Sequence, residues 1–180
     1  PRERHLEQLF HLFAYLKKYN RSALVFDPTE PFLDELVFAE CEWKEYYPGA
    51  AEAIPPNMPE PRGKVVVMTC FVDADHAGCR LTRQSHSGVL IFVNRAPIIW
   101  YSKRQATVES STFGSESVAM RVAIDLIEAL RYKLRMMGVP IDGATKVYCD
   151  NESVVKSTTR PESTLKKKHN AINYHWAREA

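Results

Sequence analysis

Three acidic residues that lie far apart in the chain could bring their carboxylates together. Asp73 ends the apolar run "KVVVMTCFVD", and Asp150 ends the run "ATKVYCD". If the two runs are neighbouring parallel strands, both carboxylates emerge at one edge of the sheet, where open α/β folds bind their ligands. Glu116 lies on the apolar stripe of a predicted helix between the two runs, so we expect its side chain to face the same sheet.

Such a group of carboxylates has a definite chemistry. Buried like charges raise one another's pKa, so three carboxylates are stable together mainly when a cation neutralises them. Oxygen ligands without a nearby cluster of thiolates or imidazoles favour Mg²⁺ or Mn²⁺ over Zn²⁺. Two such ions, roughly 3.5 to 4 Å apart, can bracket a phosphodiester, one activating water and the other stabilising the leaving oxygen. The three acids together therefore predict hydrolysis of a nucleic acid.

Each acid taken alone also has an ordinary structural explanation. Asp73 and Asp75 could simply polarise a turn, and Asp150 and Asn151 are both suitable N-caps for the helix that follows them. Glu116 is harder to explain in this way, because acids in the first turn of a helix usually lie on its solvent side. Only the combination of the three acids points to catalysis.

The elements that would position these acids form an α/β pattern. The strand ending at Asp73 is followed by "SGVLIFVN" and "PIIWYS", and the short turn "NRAP" predicts an antiparallel meander. A helix is predicted from about Ser111 to Met137, with Gly138 at its C-terminal end. Because it crosses over to a fourth strand, that strand should run parallel to an earlier one, with a right-handed connection. "NESVVKS" and the basic "LKKKHNAINYHWAREA" predict two further helices.

The first 63 residues have a different pattern. Leu6, Leu9, Phe10 and Phe13 recur at helical spacing in an amphipathic helix that ends near "KKYN". "SALVFD" predicts a short strand, and the proline-rich stretch up to Gly63 predicts an extended connection. We therefore predict a connection segment at residues 1–63 and a main domain at residues 64–180.

The composition limits the classes of protein that fit. The 180 residues are 45% hydrophobic, enough for one ordinary domain with an appendage, and the net charge is only +2. Nucleic-acid binding must therefore come from local basic clusters. The four cysteines have no CxxC pairing, which argues against structural zinc and a disulfide framework and favours a reducing, intracellular setting. No apolar run approaches the roughly 18 residues that would predict a membrane span.

The sequence resembles the ribonuclease H (RNase H) region of Ty1/copia-type retrotransposon Pol polyproteins, from the reverse transcriptase connection into the RNase H domain. The resemblance covers nearly the whole chain, and its blocks occur in the family's order. They are "HLEQLFHLFAYLKK", "VDADHAG", "TRQSHSGVLIFVNRAPIIWYSKRQATVESSTFGSE", "VYCDNESV" and "KKKHNAINYHWARE".

The resemblance implies an RNase H-like mixed sheet and a set of catalytic, metal-binding acids. The family's first, second and third acids fall on Asp73, Glu116 and Asp150, with Mg²⁺ or Mn²⁺ as cofactor and two ions when substrate is bound. Asp75 matches the second aspartate of "DAD" and is not expected to be a principal ligand. RNase H folds normally continue with a fifth strand and a helix that carries a fourth aspartate, and we expect both to be missing from this C-terminally incomplete domain.

The resemblance also implies contacts with substrate and with the rest of a polyprotein. Arg83 and Ser85 could touch the nucleic-acid backbone, and the basic cluster could contact the phosphates of a hybrid duplex. A polar loop and a solvated helix start explain these residues about equally well. The expected partners are an RNA/DNA hybrid and the reverse transcriptase portion of Pol, in the cytoplasm and in virus-like particles. The basic cluster comprises Lys166, Lys167, Lys168 and His169.

The predicted function is metal-dependent endonucleolytic cleavage of the RNA strand of RNA/DNA hybrids during reverse transcription of a retrotransposon. An alternative from another class is a decayed, non-catalytic connection module that binds or positions nucleic acid without a metal. A host protein that has adopted the domain for another use is a third, weaker interpretation.

Overall fold

A four-stranded mixed sheet forms the centre of the fold. The computed structural model describes residues 3–33, 38–39, 41, 43–165 and 168–180. Strand order is β3-β2-β1-β4; β1, β2 and β3 form an antiparallel meander, and β4 runs parallel to β1. This confirms the predicted α/β mixed sheet, which is consistent with an RNase H-like fold. The strands are β1 (Met68–Asp75), β2 (His86–Val93), β3 (Ala96–Arg104) and β4 (Lys146–Cys149).

The helices follow the predicted order. They are α1 (Glu3–Lys18), α2 (Thr112–Met136), α3 (Glu152–Thr159) and α4 (Ala171–Glu179). The crossover helix α2 begins after the N-cap Ser111, whose Oγ accepts the N–H of Gly114 at 3.2 Å. None of the described helices combines the length and the apolar character needed to cross a membrane.

Gly138 ends α2, as its position in the sequence predicts. Its φ of +71° is a backbone conformation that side chains other than glycine rarely adopt. The N–H of Gly138 donates to the carbonyl of Arg135 at 2.9 Å, and the N–H of Val139 donates to that of Leu134 at 3.0 Å. These two bonds form a Schellman motif, which satisfies carbonyls that the last turn would otherwise leave unpaired.

The core lies between the sheet and α2. Alternate residues of β1 face the helix, because successive side chains of a strand point to opposite faces. The predicted apolar stripe of α2 is buried against them, and each large side chain buried there contributes on the order of 1.5 to 3 kcal/mol. The buried residues include Met68, Cys70, Val72 and Ala74 of β1, Val89 and Ile91 of β2, and Ala119, Met120, Ala123 and Ile127 of α2.

The N-terminal segment departs from one prediction. The helix α1 is present, but "SALVFD" at residues 22–27 is not a strand. Leu24, Val25 and Phe26 are between 59% and 70% exposed. Among the described residues, none of the strands lies alongside this stretch, and a strand needs a neighbour to pair its backbone N–H and C=O groups.

The proline-rich connection is held against the helices of the main domain. The indole N–H of Trp43 donates to the carbonyl of Thr158 at 3.0 Å, at the end of α3. Farther along, the Glu52 carboxylate accepts bonds of 2.7 to 3.0 Å from Arg131 and Arg135 of α2. This part of the connection therefore packs on the main domain, and the boundary at residue 63 stays a prediction.

Candidate active site

The strand pairing sets the positions of two of the three acids. In the parallel pair of β1 and β4, Val72 lies opposite Cys149. Asp73 and Asp150 are the next residues after this pair in the two segments, so they lie side by side where β4 ends. Both side chains are exposed, and the Asp73 Oδ1 accepts the N–H of Ala74 at 2.7 Å. The sheet edge predicted from the sequence thus has two neighbouring carboxylates.

The third acid lies beneath them, on the first part of α2. Glu116 is only 6% exposed and shares its face of the helix with buried residues such as Ala119 and Met120. Its Oε2 atom is buried and has no hydrogen-bond partner. A buried carboxylate oxygen without a donor is costly, so this atom requires either a proton or a cation.

The electrostatics of Glu116 show that the three acids lie close together. Burial raises the pKa of Glu116 to about 7, against the lowering effect of the Ala74 N–H. The neighbouring charges of Asp73 and Asp150, and a hydrogen bond with the Asp73 side chain, raise that pKa further. The structure therefore brings together the three acids named from the sequence, in a field that favours either a shared proton or a bound cation.

The donor set fits a divalent cation. One carboxylate oxygen of Glu116 and one of Asp150 lie within 4.8 Å of each other, in a group that also contains the Cys149 sulfur. Carboxylate oxygens are the ligands that Mg²⁺ and Mn²⁺ prefer. The unpartnered Glu116 Oε2 supplies a donor that the protein itself leaves unused. The residues present therefore suit the metal that the resemblance implies.

Asp75 is directed at the turn that follows β1. Its carboxylate lies directly over Gly78, where an added Cβ atom would be 1.7 Å from Asp75 Oδ2. Gly78 therefore makes room for a side chain that is directed at its own turn. That Asp75 is not a principal ligand stays a prediction.

Two residues near the acids were not singled out from the sequence. Gln105, which follows β3, is 5% exposed, and its Nε2 donates at 2.9 Å to both Ser87 Oγ and the carbonyl of Ser115. It thereby ties the sheet to the residue that precedes Glu116. Cys149 is half-buried, and burial is the main cause that raises the pKa of its thiol to about 11. Only its position next to Asp150 could have signalled it.

Of the two loop residues that were expected to contact the substrate, one is exposed and the other is buried. Arg83 is exposed in the loop between β1 and β2. Ser85 is fully buried, and its Oγ accepts the N–H of Ala77 at 3.0 Å, which is contrary to the surface contact expected of it. This hydroxyl instead fixes the loop that carries Arg83.

The basic cluster is described only in part. Lys168 is exposed in a 3-10 turn, Lys168–Asn170, that leads into α4. Two lysines of the cluster, Lys166 and Lys167, lie outside the described residues. Of His169 only the backbone is described. The predicted contact of this cluster with nucleic acid stays a prediction.

Comparison with known proteins finds similarity to retrotransposon Pol polyproteins. No protein-family model matches the chain. Over 117 residues, 65% of the chain, it is 26% identical to the retrovirus-related Pol polyproteins from transposons RE1 and RE2 of Arabidopsis thaliana. Over the same length it is 30% identical to that from transposon TNT 1-94 of Nicotiana tabacum.

The chain spans only 8% to 9% of the length of these relatives, so it corresponds to one small region of a much larger polyprotein. These three relatives are Pol polyproteins of the Ty1/copia type. The chain is therefore similar, over 65% of its length, to a region of Ty1/copia-type retrotransposon Pol polyproteins.

Proposed function

We propose that this chain carries a ribonuclease H site that hydrolyses the RNA strand of RNA/DNA hybrids, endonucleolytically and with a divalent metal, during reverse transcription. One observation carries the proposal. The buried Glu116 Oε2 has no hydrogen-bond partner, and its side chain lies beside the carboxylates of Asp73, within β1, and Asp150, which directly follows the parallel strand β4. The Pol relatives support a retrotransposon setting for this chemistry.

In this proposal one of the three acids is buried and the other two are exposed. Asp73, Glu116 and Asp150 would hold Mg²⁺ or Mn²⁺, with two ions when substrate is bound. Such ions supply an activated water and stabilise the leaving oxygen of a phosphodiester. Glu116 is only 6% exposed, whereas Asp73 and Asp150 are exposed where a phosphate can approach. Gln105 acts as a positioning residue, because it fixes the helix turn that carries Glu116.

The hybrid would lie across the open side of the acids. Arg83 and Lys168 are exposed cations that could contact phosphates, and we propose the same role for Lys166, Lys167 and His169. Only the RNA strand has 2′-hydroxyl groups, which allow a protein to distinguish the two strands of a hybrid. Reverse transcriptase within Pol is the proposed partner that supplies this substrate.

The test is a cleavage assay with the chain and with a longer product of the same reading frame. The substrates are an RNA/DNA hybrid with labelled RNA, the matching DNA duplex and single-stranded RNA, each with Mg²⁺ or a chelator. We expect internal cuts in the RNA of the hybrid alone, dependent on the metal and absent in Glu116→Gln. The exposed Glu162→Gln, which makes the same chemical change outside the site, should cleave normally.

A non-catalytic nucleic-acid module would behave differently. Both the chain and the longer product would then bind the hybrid without cutting it. Calorimetric titration with Mn²⁺ would detect no binding that depends on Glu116. That pair of results would overturn the proposed hydrolysis and favour the module.

A further inference from the structure

The acids are not the only donors in the candidate site. One donor atom each from Glu116, Cys149 and Asp150 lie within 4.8 Å of one another. Cys149 belongs to β4, where it pairs with Val72 and packs against the core, so the backbone of the sheet sets the direction of its thiol. The sequence predicts no cluster of thiolates or imidazoles near the acids. The structure shows that a sulfur atom lies among them.

A second observation indicates that this group can take up a ligand. Glu116 is more than nine-tenths buried, and its Oε2 has no hydrogen-bond partner. That atom belongs to the residue that shares the group with the Cys149 sulfur. A buried oxygen of this kind is satisfied when a cation binds within reach of it.

We propose that Glu116, Cys149 and Asp150 form a binding site for a zinc-group cation, Zn²⁺ or Cd²⁺, that overlaps the site for Mg²⁺. Mg²⁺ prefers oxygen ligands, whereas Zn²⁺ and softer ions bind thiolates strongly. On binding, a metal–sulfur bond forms, the S–H bond breaks, and its proton passes to solvent. Two carboxylates and one thiolate then surround one divalent ion.

This arrangement has a consequence for selectivity. A zinc-group ion would use the carboxylates of Glu116 and Asp150 that Mg²⁺ needs, and it would gain a sulfur ligand that Mg²⁺ does not use. Such ions should therefore displace Mg²⁺ and block cleavage. The inhibition rests on the proposed function, but the binding does not.

The test is a titration of the chain with Cd²⁺ in a buffer free of other divalent ions and of thiol reductants. Thiolate bonded to Cd²⁺ absorbs in the ultraviolet through charge transfer, so the absorbance reports a metal–sulfur bond directly. We expect a band that saturates at one ion per chain, persists in Cys79→Ser and is lost in Cys149→Ser. In Glu116→Gln the affinity should fall by about tenfold or more, as for loss of a ligand interaction.

Two further measurements test the same metal site. Excess Mg²⁺ should raise the apparent Kd for Cd²⁺, because the two ions share carboxylates. Cadmium X-ray absorption of the unmodified chain should detect one sulfur neighbour, which does not depend on whether Cys149→Ser folds. A band that persists in Cys149→Ser, or an unmodified chain whose bound Cd²⁺ has no sulfur neighbour, would overturn the site.

The outcomes for this site and for the proposed function can be separated. A Cys149-dependent band in a protein that never cuts a hybrid would keep the metal site and reject the hydrolysis. Normal cleavage that Cd²⁺ leaves unaffected, with no such band, would reject the metal site alone.

Discussion

The side chain of Asn151, and not that of its neighbour Asp150, caps α3. Asn151 Oδ1 accepts the N–H of Ser153 at 3.1 Å and that of Val154 at 3.3 Å. From the sequence either residue could have been the cap, and a capping Asp150 would have been turned away from the other acids. Because Asn151 satisfies the helix start, the Asp150 carboxylate can lie within 4.8 Å of a Glu116 carboxylate oxygen.

Replacement of Asn151 should reduce the stability of the fold. We expect Asn151→Ala to lower the free energy of unfolding by about 1 kcal/mol, because two N–H groups at the start of α3 lose their acceptor. Chemical denaturation without divalent ions measures this change. Asp150→Asn is the matched control and should cause no comparable loss, since it relieves repulsion among the acids. A larger loss in Asp150→Asn than in Asn151→Ala would refute this assignment of the cap.

Stability should depend on pH through Glu116. Its pKa is about 7 in the folded chain, above the ordinary value of 4.5, so the folded chain holds a proton that the unfolded chain releases between these values. The contribution is fully present below about pH 4.5 and is lost as the pH rises through about 7. The full shift corresponds to about 3 kcal/mol, and water at the open edge should reduce it to about 1 to 2 kcal/mol.

Glu116→Gln should remove this dependence. The measurement is the free energy of unfolding from pH 4 to pH 8 without metal, compared with the original chain and with the control Glu162→Gln. We expect the variant to be the more stable protein at pH 8, and added Mg²⁺ to stabilise the original chain but not the variant. Parallel pH profiles of stability for the original chain and Glu116→Gln would contradict a raised pKa of Glu116.

The bonds between Glu52 and α2 should hold the proline-rich connection in place. Hydrogen bonds from Arg131 and then Arg135 lower the pKa of Glu52 to about 2, so its contribution is present above about pH 4.5 and lost as the pH falls toward 2. Glu52→Gln leaves the buried Arg131 without its charged partner and should cost about 1 to 3 kcal/mol. Limited proteolysis should then cut residues 43–63 faster, whereas the exposed Glu45→Gln should not change the rate.

Local sequence patterns were sufficient to predict the framework of the site. The β-branched run before Asp73, the apolar stripe of α2 and the glycine at position 138 each follow from rules about neighbouring residues. The prediction of a strand at residues 22–27 was wrong, because strand formation depends on a distant partner that the local sequence does not reveal. A parallel register likewise joins residues far apart in sequence, so the approach of Cys149 to Glu116 could not be predicted. The burial of Ser85 and the bonds of Gln105 also depend on tertiary packing.

We propose that Asp73 helps to hold the metal needed for RNA cleavage, whereas Asp75, two residues along the same strand, does not. The most direct measurement is the rate of Mg²⁺-dependent cleavage of RNA in an RNA/DNA hybrid by Asp73→Asn and Asp75→Asn, made in the longer product of the reading frame. We predict that Asp73→Asn lowers the rate by about a hundredfold or more, as when a group that stabilises transition-state charge is lost, and that Asp75→Asn cleaves nearly normally. Full activity in Asp73→Asn would contradict the claim.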